Sequence, residues 1–271
     1  MFIVEDKERV ESGGQGRWAA VEGVHWNHQW QRQPRLGEAR KPGSSEGPED
    51  KPLGQWIGTA NTTSLMEHWA DVVDLGAQAW LFQEARCRST EGDELLRVSG
   101  WCALWSQPGE DGECLAAIAV KRGHLGKMPL DFLDNKWSRR VVAGLWAPDG
   151  GRPILLVSIY GVSSPSTADK EQLNAILLQI MDLAESKGAV GCCMGGDFNR
   201  LAAELPAAGW LHACGWSDIS TEPTCVTAQS MTPRRIDSLF LNTFLTPLVA
   251  EVQVRWDTAV PVHAVQLVQV M

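Results

Sequence analysis

From residue 55 onward, short apolar runs alternate with stretches whose apolar residues recur every three or four positions. The runs at 56–60, 79–82, 100–105, 114–120, 140–146 and 153–160 read as strands, because each is short and bounded by turn residues. Gln107-Pro-Gly-Glu-Asp-Gly112 and Pro148-Asp-Gly-Gly151 join two pairs of them as hairpins. Between 64 and 75, the spacing of Leu65, Trp69, Val72 and Val73 predicts a helix. A second helix opens at Ser166-Thr-Ala-Asp169, whose ends reciprocally satisfy backbone donors as a capping box. Leu173, Ile176, Leu177, Ile180 and Leu183 form its apolar face, and Lys187-Gly188 stops it. Further strands are predicted at 189–194, 236–241, 248–254 and 264–270.

This order is neither strict strand–helix alternation nor a pure meander. Hairpins in the first half require antiparallel pairing, and the strands read as buried on one face. The arrangement that fits is an α/β (α+β) fold, a sandwich of two packed mixed β-sheets flanked by helices. Residues 53–271 form the folded domain. Residues 1–52 differ: rich in Gly, Gln, Arg, Glu, Ser and Pro, without sustained periodicity, they read as a disordered leader or linker. Trp18, Trp26 and Trp30 stand out there as an aromatic segment suited to a partner.

Composition narrows the classes. Of 271 residues, 44% are apolar, enough for a core, and the net charge is −9. The leader holds 8 Lys/Arg against 9 Asp/Glu, so the remainder holds 16 against 24, and the acidity belongs to the domain. A broadly cationic nucleic-acid binder is excluded; a local basic face is not. The seven cysteines include no CxxC pair, and adjacent Cys192 and Cys193 lie in an apolar run. They read as buried thiols of an intracellular protein. The charged start argues against a signal peptide, and no apolar run approaches the ~20 residues of a membrane span.

Candidate chemistry lies at strand ends. Met194-Gly-Gly-Asp-Phe-Asn199 follows an apolar run, and its glycines are read as a turn that leaves Asp197 and Asn199 projecting together. Asn61 ends the run from Trp56. Gln83-Glu84 ends the next, and Tyr160, the one tyrosine of the chain, ends another. Asp237 alternates with apolar neighbours in Arg235-Ile-Asp-Ser-Leu-Phe240, and His263 opens the last strand. Carboxylates in strand patterns are expensive to bury without partners, and their repetition at strand edges points to a shared polar pocket. The plain alternatives are ion pairs of Glu84 with Arg86 or Arg88, and of Asp237 with Arg234 or Arg235.

In their order, Asn61, Gln83-Glu84, Tyr160-Gly161, Gly196-Asp-Phe-Asn199, Arg235-Ile-Asp237 and His263 resemble the endonuclease/exonuclease/phosphatase superfamily over residues 55–271. Tyr160-Gly161 and Pro223-Thr224 are most similar to its apurinic-endonuclease and non-LTR retrotransposon endonuclease branch. The resemblance implies a four-layer sandwich and Mg²⁺-dependent cleavage of a phosphodiester, with Mn²⁺ as a substitute. It implies Glu84 and Asn61 at the metal and Asp197 positioning or deprotonating the attacking water. Asn199 and Tyr160 would contact the phosphate, and His263, oriented by Asp237, would donate to it. These roles suit the residue types, since Mg²⁺ takes hard oxygen ligands and a carboxylate beside an imidazole favours its charged form.

One position departs from that pattern. Val262 stands where the superfamily carries an aspartate before the histidine, so the chain lacks an oxygen there. Asp257 is the nearest substitute in sequence. The phosphate backbone of DNA is the expected partner, and residues 121–140 are the expected face, with Lys136, Arg139 and Arg140 as cations and Trp137 as a stacking ring. The retroelement reading places the domain ahead of a reverse transcriptase in a longer polypeptide, acting in the nucleus if on chromosomal DNA. The alternatives are an abasic-site repair endonuclease and a catalytically degenerate pseudonuclease that binds nucleic acid or protein.

Overall fold

The computed structural model describes residues 54–188, 190–220, 222–227 and 230–271. The leader expected over 1–52, with its tryptophans, lies outside the described residues.

The first half of the chain contributes β1 (Gln55–Asn61), α1 (Leu65–Val73), β2 (Ala79–Arg88), α2 (Ser89–Val98), β3 (Cys102–Trp105) and β4 (Glu113–Val120). Then follow β5 (His124–Lys127), α3 (Asn135–Ser138), β6 (Val141–Ala147), β7 (Ile154–Tyr160), α4 (Thr167–Ser186) and β8 (Gly191–Asp197). The last third holds α5 (Pro206–Ala213), β9 (Ser217–Asp218), β10 (Cys225–Thr227), β11 (Ser230–Arg234), β12 (Asp237–Leu241), β13 (Val249–Arg255) and β14 (Val265–Val270). One six-stranded sheet has the order β13-β14-β1-β2-β4-β3 and the other β5-β6-β7-β8-β12-β9, with β10-β11 as a separate ribbon. Each large sheet is mixed, with one parallel pair near its middle, β1–β2 in the first and β7–β8 in the second.

Three apolar clusters fill the layers. Ile57, Leu81, Ile118, Leu156, Cys193 and Leu239 pack between the sheets. Trp69, Val72 and Leu96 of α1 and α2 cover the outer face of the first sheet. Leu173, Ile176, Leu177 and Ile180 of α4, with Leu211 of α5, cover the second. The α4 capping box forms as predicted, with Ser166 Oγ accepting from the Asp169 amide and the Asp169 carboxylate accepting from the Ser166 amide. The seven cysteines are free, and Cys192 and Cys193 are fully buried. Among the described residues no helix is long and apolar enough to cross a membrane.

Three sequence readings are corrected. The inner strands are buried on both faces, not one: every residue of β7, β8 and β12 is buried. Covering by helices outside and a second sheet inside makes continuous apolar runs. The strand at Ala79 does not end at Gln83-Glu84. It runs on to Arg88 through an irregular register between Gln83 and Cys87, a bulge where Glu84 and Arg86 take φ of 49° and 44°. Finally, Gly195 and Gly196 form no turn; they lie inside β8. A Cβ on Gly195 would stand 2.8 Å from Leu81 Cδ1, 2.9 Å from Leu239 Cδ1 and 3.1 Å from Thr59 Cβ. The glycine lets the two sheets approach.

That approach supports a buried polar seam. Gln83 donates to Ser158 Oγ across the sheets at 3.0 Å, Ser158 Oγ donates back to the Phe82 carbonyl at 2.7 Å, and Thr59 donates to Gln83 Oε1 at 3.2 Å. Overpacking a core position costs about 1–3 kcal/mol. Gly195→Ala is therefore expected to lower unfolding free energy by about 2 kcal/mol in urea titration, and an unchanged midpoint would refute the close approach.

Candidate active site

Strand register assembles the site. In the first sheet Asn61 is the partner of Gln83, so Glu84 falls just beyond the same level. In the second, Tyr160 is the partner of Asp197 across the parallel pair, and Asp197 the partner of Asp237 across the antiparallel one. Two sheets thus end together, presenting polar residues along one edge. The bulge turns Glu84 toward that edge, as bulges re-aim side chains. His263 precedes β14 and is fixed by a bridge to Cys225 and by the Ala264 amide donating to the Thr224 carbonyl at 2.7 Å.

The Asn61 amide nitrogen is the junction. It lies 2.8 Å from Asp197 Oδ2, 3.3 Å from Glu84 Oε1 and 3.4 Å from His263 Nε2. Tyr160 donates its hydroxyl to Glu84 Oε1 at 2.9 Å. Asp237 accepts from His263 Nδ1 at 3.0 Å. Asp197 Oδ1 accepts from the Asn199 amide at 2.8 Å, and Asn199 donates its side chain to the Gly161 carbonyl at 3.3 Å. Asp197, Asp237 and His263 are buried, with one ligand atom of each within 4.8 Å of the others. Glu84 stands outside that group and joins it through Asn61.

Charge follows from burial and proximity. Burial pushes the Asp197 carboxyl up to about 7, reinforced by Asp237, while His263 pulls the other way. Burial alone would lower the His263 imidazole, yet Asp237 beside it raises it to about 11. His263 is therefore a cation at neutral pH, and both ring nitrogens donate. Its Nε2 cannot accept from Asn61, so the two amide hydrogens of Asn61 serve Asp197 and Glu84. Burial, with Glu84 next, raises the Tyr160 phenol to about 12, so Tyr160 stays a donor.

The structure brings Asn61, Glu84, Tyr160, Asp197, Asn199, Asp237 and His263 to one edge. It does not do so for the expected nucleic-acid face. Trp137 is 1% exposed and packs in the core beneath α4, so it offers no face to a base. Lys136 pairs with the Asp169 carboxylate of the capping box. Arg139 pairs with Asp111 at 3.1 Å. Arg140 donates to the Gly161 carbonyl at 2.9 Å, and its guanidinium lies 4.7 Å from the centre of the Tyr160 ring. The charge run reads as a surface motif in sequence because nothing local reveals these distant partners. Arg140 belongs instead to the site's support, behind Tyr160.

Other readings resolve similarly. Arg86 does pair with Glu84, Nη2 to Oε2 at 2.5 Å. Arg235 pairs with Asp218 at 3.3 Å rather than with Asp237. Asp257 binds Arg255 through two bonds of 2.7 Å and does not replace the missing carboxylate. Val262 is 42% exposed and takes φ of 58°, a conformation that β-branched residues rarely adopt. Thr224, whose hydroxyl accepts from the Asp237 amide at 3.1 Å, was missed as a support of the site; its Pro223-Thr224 motif was the available signal.

No protein-family model and no curated protein sequence matches the chain. Solved structures do. The endonuclease domain of TRAS1, a telomere-specific non-LTR retrotransposon, is 18% identical over 80% of this chain and 98% of its own, with a TM-score of 0.60. The 3′-5′ exonuclease NExo of Neisseria meningitidis is 19% identical over 80% and 99%, with a TM-score of 0.65. An AP endonuclease from Archaeoglobus fulgidus is 13% identical over 79% and 98%, with a TM-score of 0.61. These likenesses show a shared fold, two packed mixed sheets between helices, which is the sandwich that the motifs implied.

Two outcomes follow from this geometry. Between about 3.8 and about 7 the folded chain holds a proton on Asp197 that the unfolded chain has lost, so stability falls as pH rises through that window. His263 has the same sign between 6.5 and about 11. Asp197→Asn should flatten the lower window in urea midpoints measured across pH, and an unchanged slope would contradict the assignment. Val262→Asn should raise the melting temperature by about 3 °C, because a left-handed residue with a Cβ branch loses roughly 1 kcal/mol that asparagine does not; a lowered melting temperature would exclude strain there.

Proposed function

We propose that this chain is a divalent-metal-dependent phosphodiester hydrolase that nicks DNA, of the type that serves a retroelement. The observation that carries the reading is the Asn61 nitrogen joining Asp197 of one sheet to Glu84 of the other. A cation-bearing histidine, a carboxyl raised toward neutrality and a phenol donor around one edge match the needs of phosphodiester hydrolysis.

The donor chemistry fits Mg²⁺, or Mn²⁺ in its place. Mg²⁺ takes one or two protein carboxylates and fills its remaining positions with water and substrate phosphate oxygens. Glu84 would supply the carboxylate from the mouth of the site, and Arg86 would have to release it. Asn61 would hold that carboxylate in place. When bound, the ion would neutralise charge that builds on the phosphoryl oxygens. Asp197, with its pKa near 7, is matched to accept a proton from the attacking water at neutral pH. His263 would donate Nε2–H to a phosphate oxygen while Asp237 holds its other nitrogen. Tyr160 would donate to the phosphate or the leaving oxygen, and Asn199 to a non-bridging oxygen.

The retroelement reading draws support from Tyr160-Gly161 and from the TRAS1 likeness. A nick would leave a 3′-hydroxyl for a reverse transcriptase carried by a longer parent polypeptide, and chromosomal DNA would place the work in the nucleus. An abasic-site repair enzyme would use the same chemistry but cut only abasic duplex. A second reading, a pseudonuclease that binds without cutting, is favoured by two observations: Val262 offers no oxygen, and Arg86 already occupies Glu84 Oε2.

Nicking of a supercoiled plasmid with Mg²⁺ or Mn²⁺ tests these readings. Wild type should nick intact DNA, and Glu84→Ala should slow it on the order of 10²-fold. Val262→Asp should cut faster than wild type. If wild type cuts no faster than Glu84→Ala while Val262→Asp does, the chain is a degenerate enzyme.

A further inference from the structure

With Trp137 in the core and Lys136, Arg139 and Arg140 already partnered, the cations expected to hold a phosphate backbone are committed elsewhere. A different arginine is not. Arg200 follows Asn199 directly, beyond the end of β8, and is only 7% exposed. Its neighbours in the chain, Phe198 and Ala202, belong to the apolar cluster under α4 and α5. Its Nε is buried without a hydrogen-bond partner, and no carboxylate pairs with its guanidinium among the described residues. Every other buried charge at this edge has a counter-group: His263 has Asp237, and Asp197 has Asn61 and the Asn199 amide.

An arginine does not relieve burial by losing its proton. A charged group whose buried donor has no partner is costly to hold, unless an anion completes it. Its rigid fork of donors matches two oxygens of one phosphate. Arg200 also lies one residue from Asn199, whose side chain reaches the Gly161 carbonyl beside Tyr160. Arg200 thus leaves the backbone three residues after Asp197, the last residue of β8.

We propose that Arg200 is an anion-binding residue that holds a backbone phosphate neighbouring the scissile one, as a subsite of the nuclease reading on which the proposal rests. The shared chemistry is a phosphate dianion or diester. Inorganic phosphate and an oligonucleotide are its two sources, and the arms of the experiment separate them.

The test uses the full chain in EDTA, so that cleavage plays no part. Melting temperature is followed against inorganic phosphate, with chloride at matched ionic strength, for wild type, Arg200→Met and Arg200→Lys. Anisotropy of a labelled 12-nucleotide DNA is measured in parallel. Phosphate should raise the melting temperature of wild type and leave that of Arg200→Met unmoved. Without phosphate, Arg200→Met should melt no lower than wild type, because an uncompensated buried charge is gone. Its affinity for the DNA should fall about tenfold, the loss of one charge-assisted contact, and Arg200→Lys should lie between. An Arg200→Met protein that answers phosphate and DNA as wild type does overturns the proposal. A lost phosphate response with unchanged DNA affinity overturns its assignment to a nucleic-acid backbone. Wild-type nicking with no Arg200 effect sinks this subsite alone. A retained Arg200 effect without Glu84-dependent nicking sinks the nuclease reading alone.

Discussion

The bond from the Asn61 amide to Asp197 crosses from one sheet to the other, and it holds only if both sheets end at the same level. That level is set by register: Asn61 against Gln83 in one sheet, Tyr160 against Asp197 against Asp237 in the other. Registry between the sheets depends on the seam of Gln83, Ser158 and Thr59 and on the bare backbone at Gly195. A slip of one residue in any one of these strands would turn its side chains to the opposite face. The polar seam lies between apolar layers, where a lost partner is expensive, so it specifies one alignment and excludes neighbouring ones.

Backbone strain concentrates at the same edge. The non-glycine residues with positive φ among those described are Thr63, Glu84, Arg86, Asn199 and Val262. Each lies at, or within two residues of, Asn61, Glu84, Asn199 or His263. Such conformations persist only where surrounding structure over-determines them. Here the cores on either side of each sheet do so, and the result is a set of side chains pointing past the strand ends instead of across the sheets. Val262 is the discordant member, because it carries the strain without contributing a polar atom.

Much of the site was readable because burial demands partners. Asp237 and Asp197 interrupt apolar strands, and a carboxylate in that setting has to be met by a donor, so their convergence follows from energetic necessity. The two mixed sheets were readable from hairpin turns and strand lengths. The surface was not. Lys136, Arg139 and Arg140 resemble a basic patch in one dimension, but their partners Asp169, Asp111 and Gly161 are distant in sequence. The β2 bulge was also invisible, since Glu84 and Arg86 carry no glycine signal for their left-handed backbone. Arg200 went unnoticed for the same reason: nothing adjacent to it in the chain announces that it is buried.

Hydrophobic spacing and capping residues by themselves determined the longer strands of the two sheets, the helix after Ser166 and most of the polar strand ends, because periodicity and local hydrogen bonding act over a few residues; the short strands β5, β9, β10 and β11 carried no such signal. Which face each strand hides, which cation meets which carboxylate and how Glu84 comes to face Asn61 were decided only in three dimensions. Those outcomes depend on sheet register and layer packing, and both are sums over contacts between residues far apart in the chain.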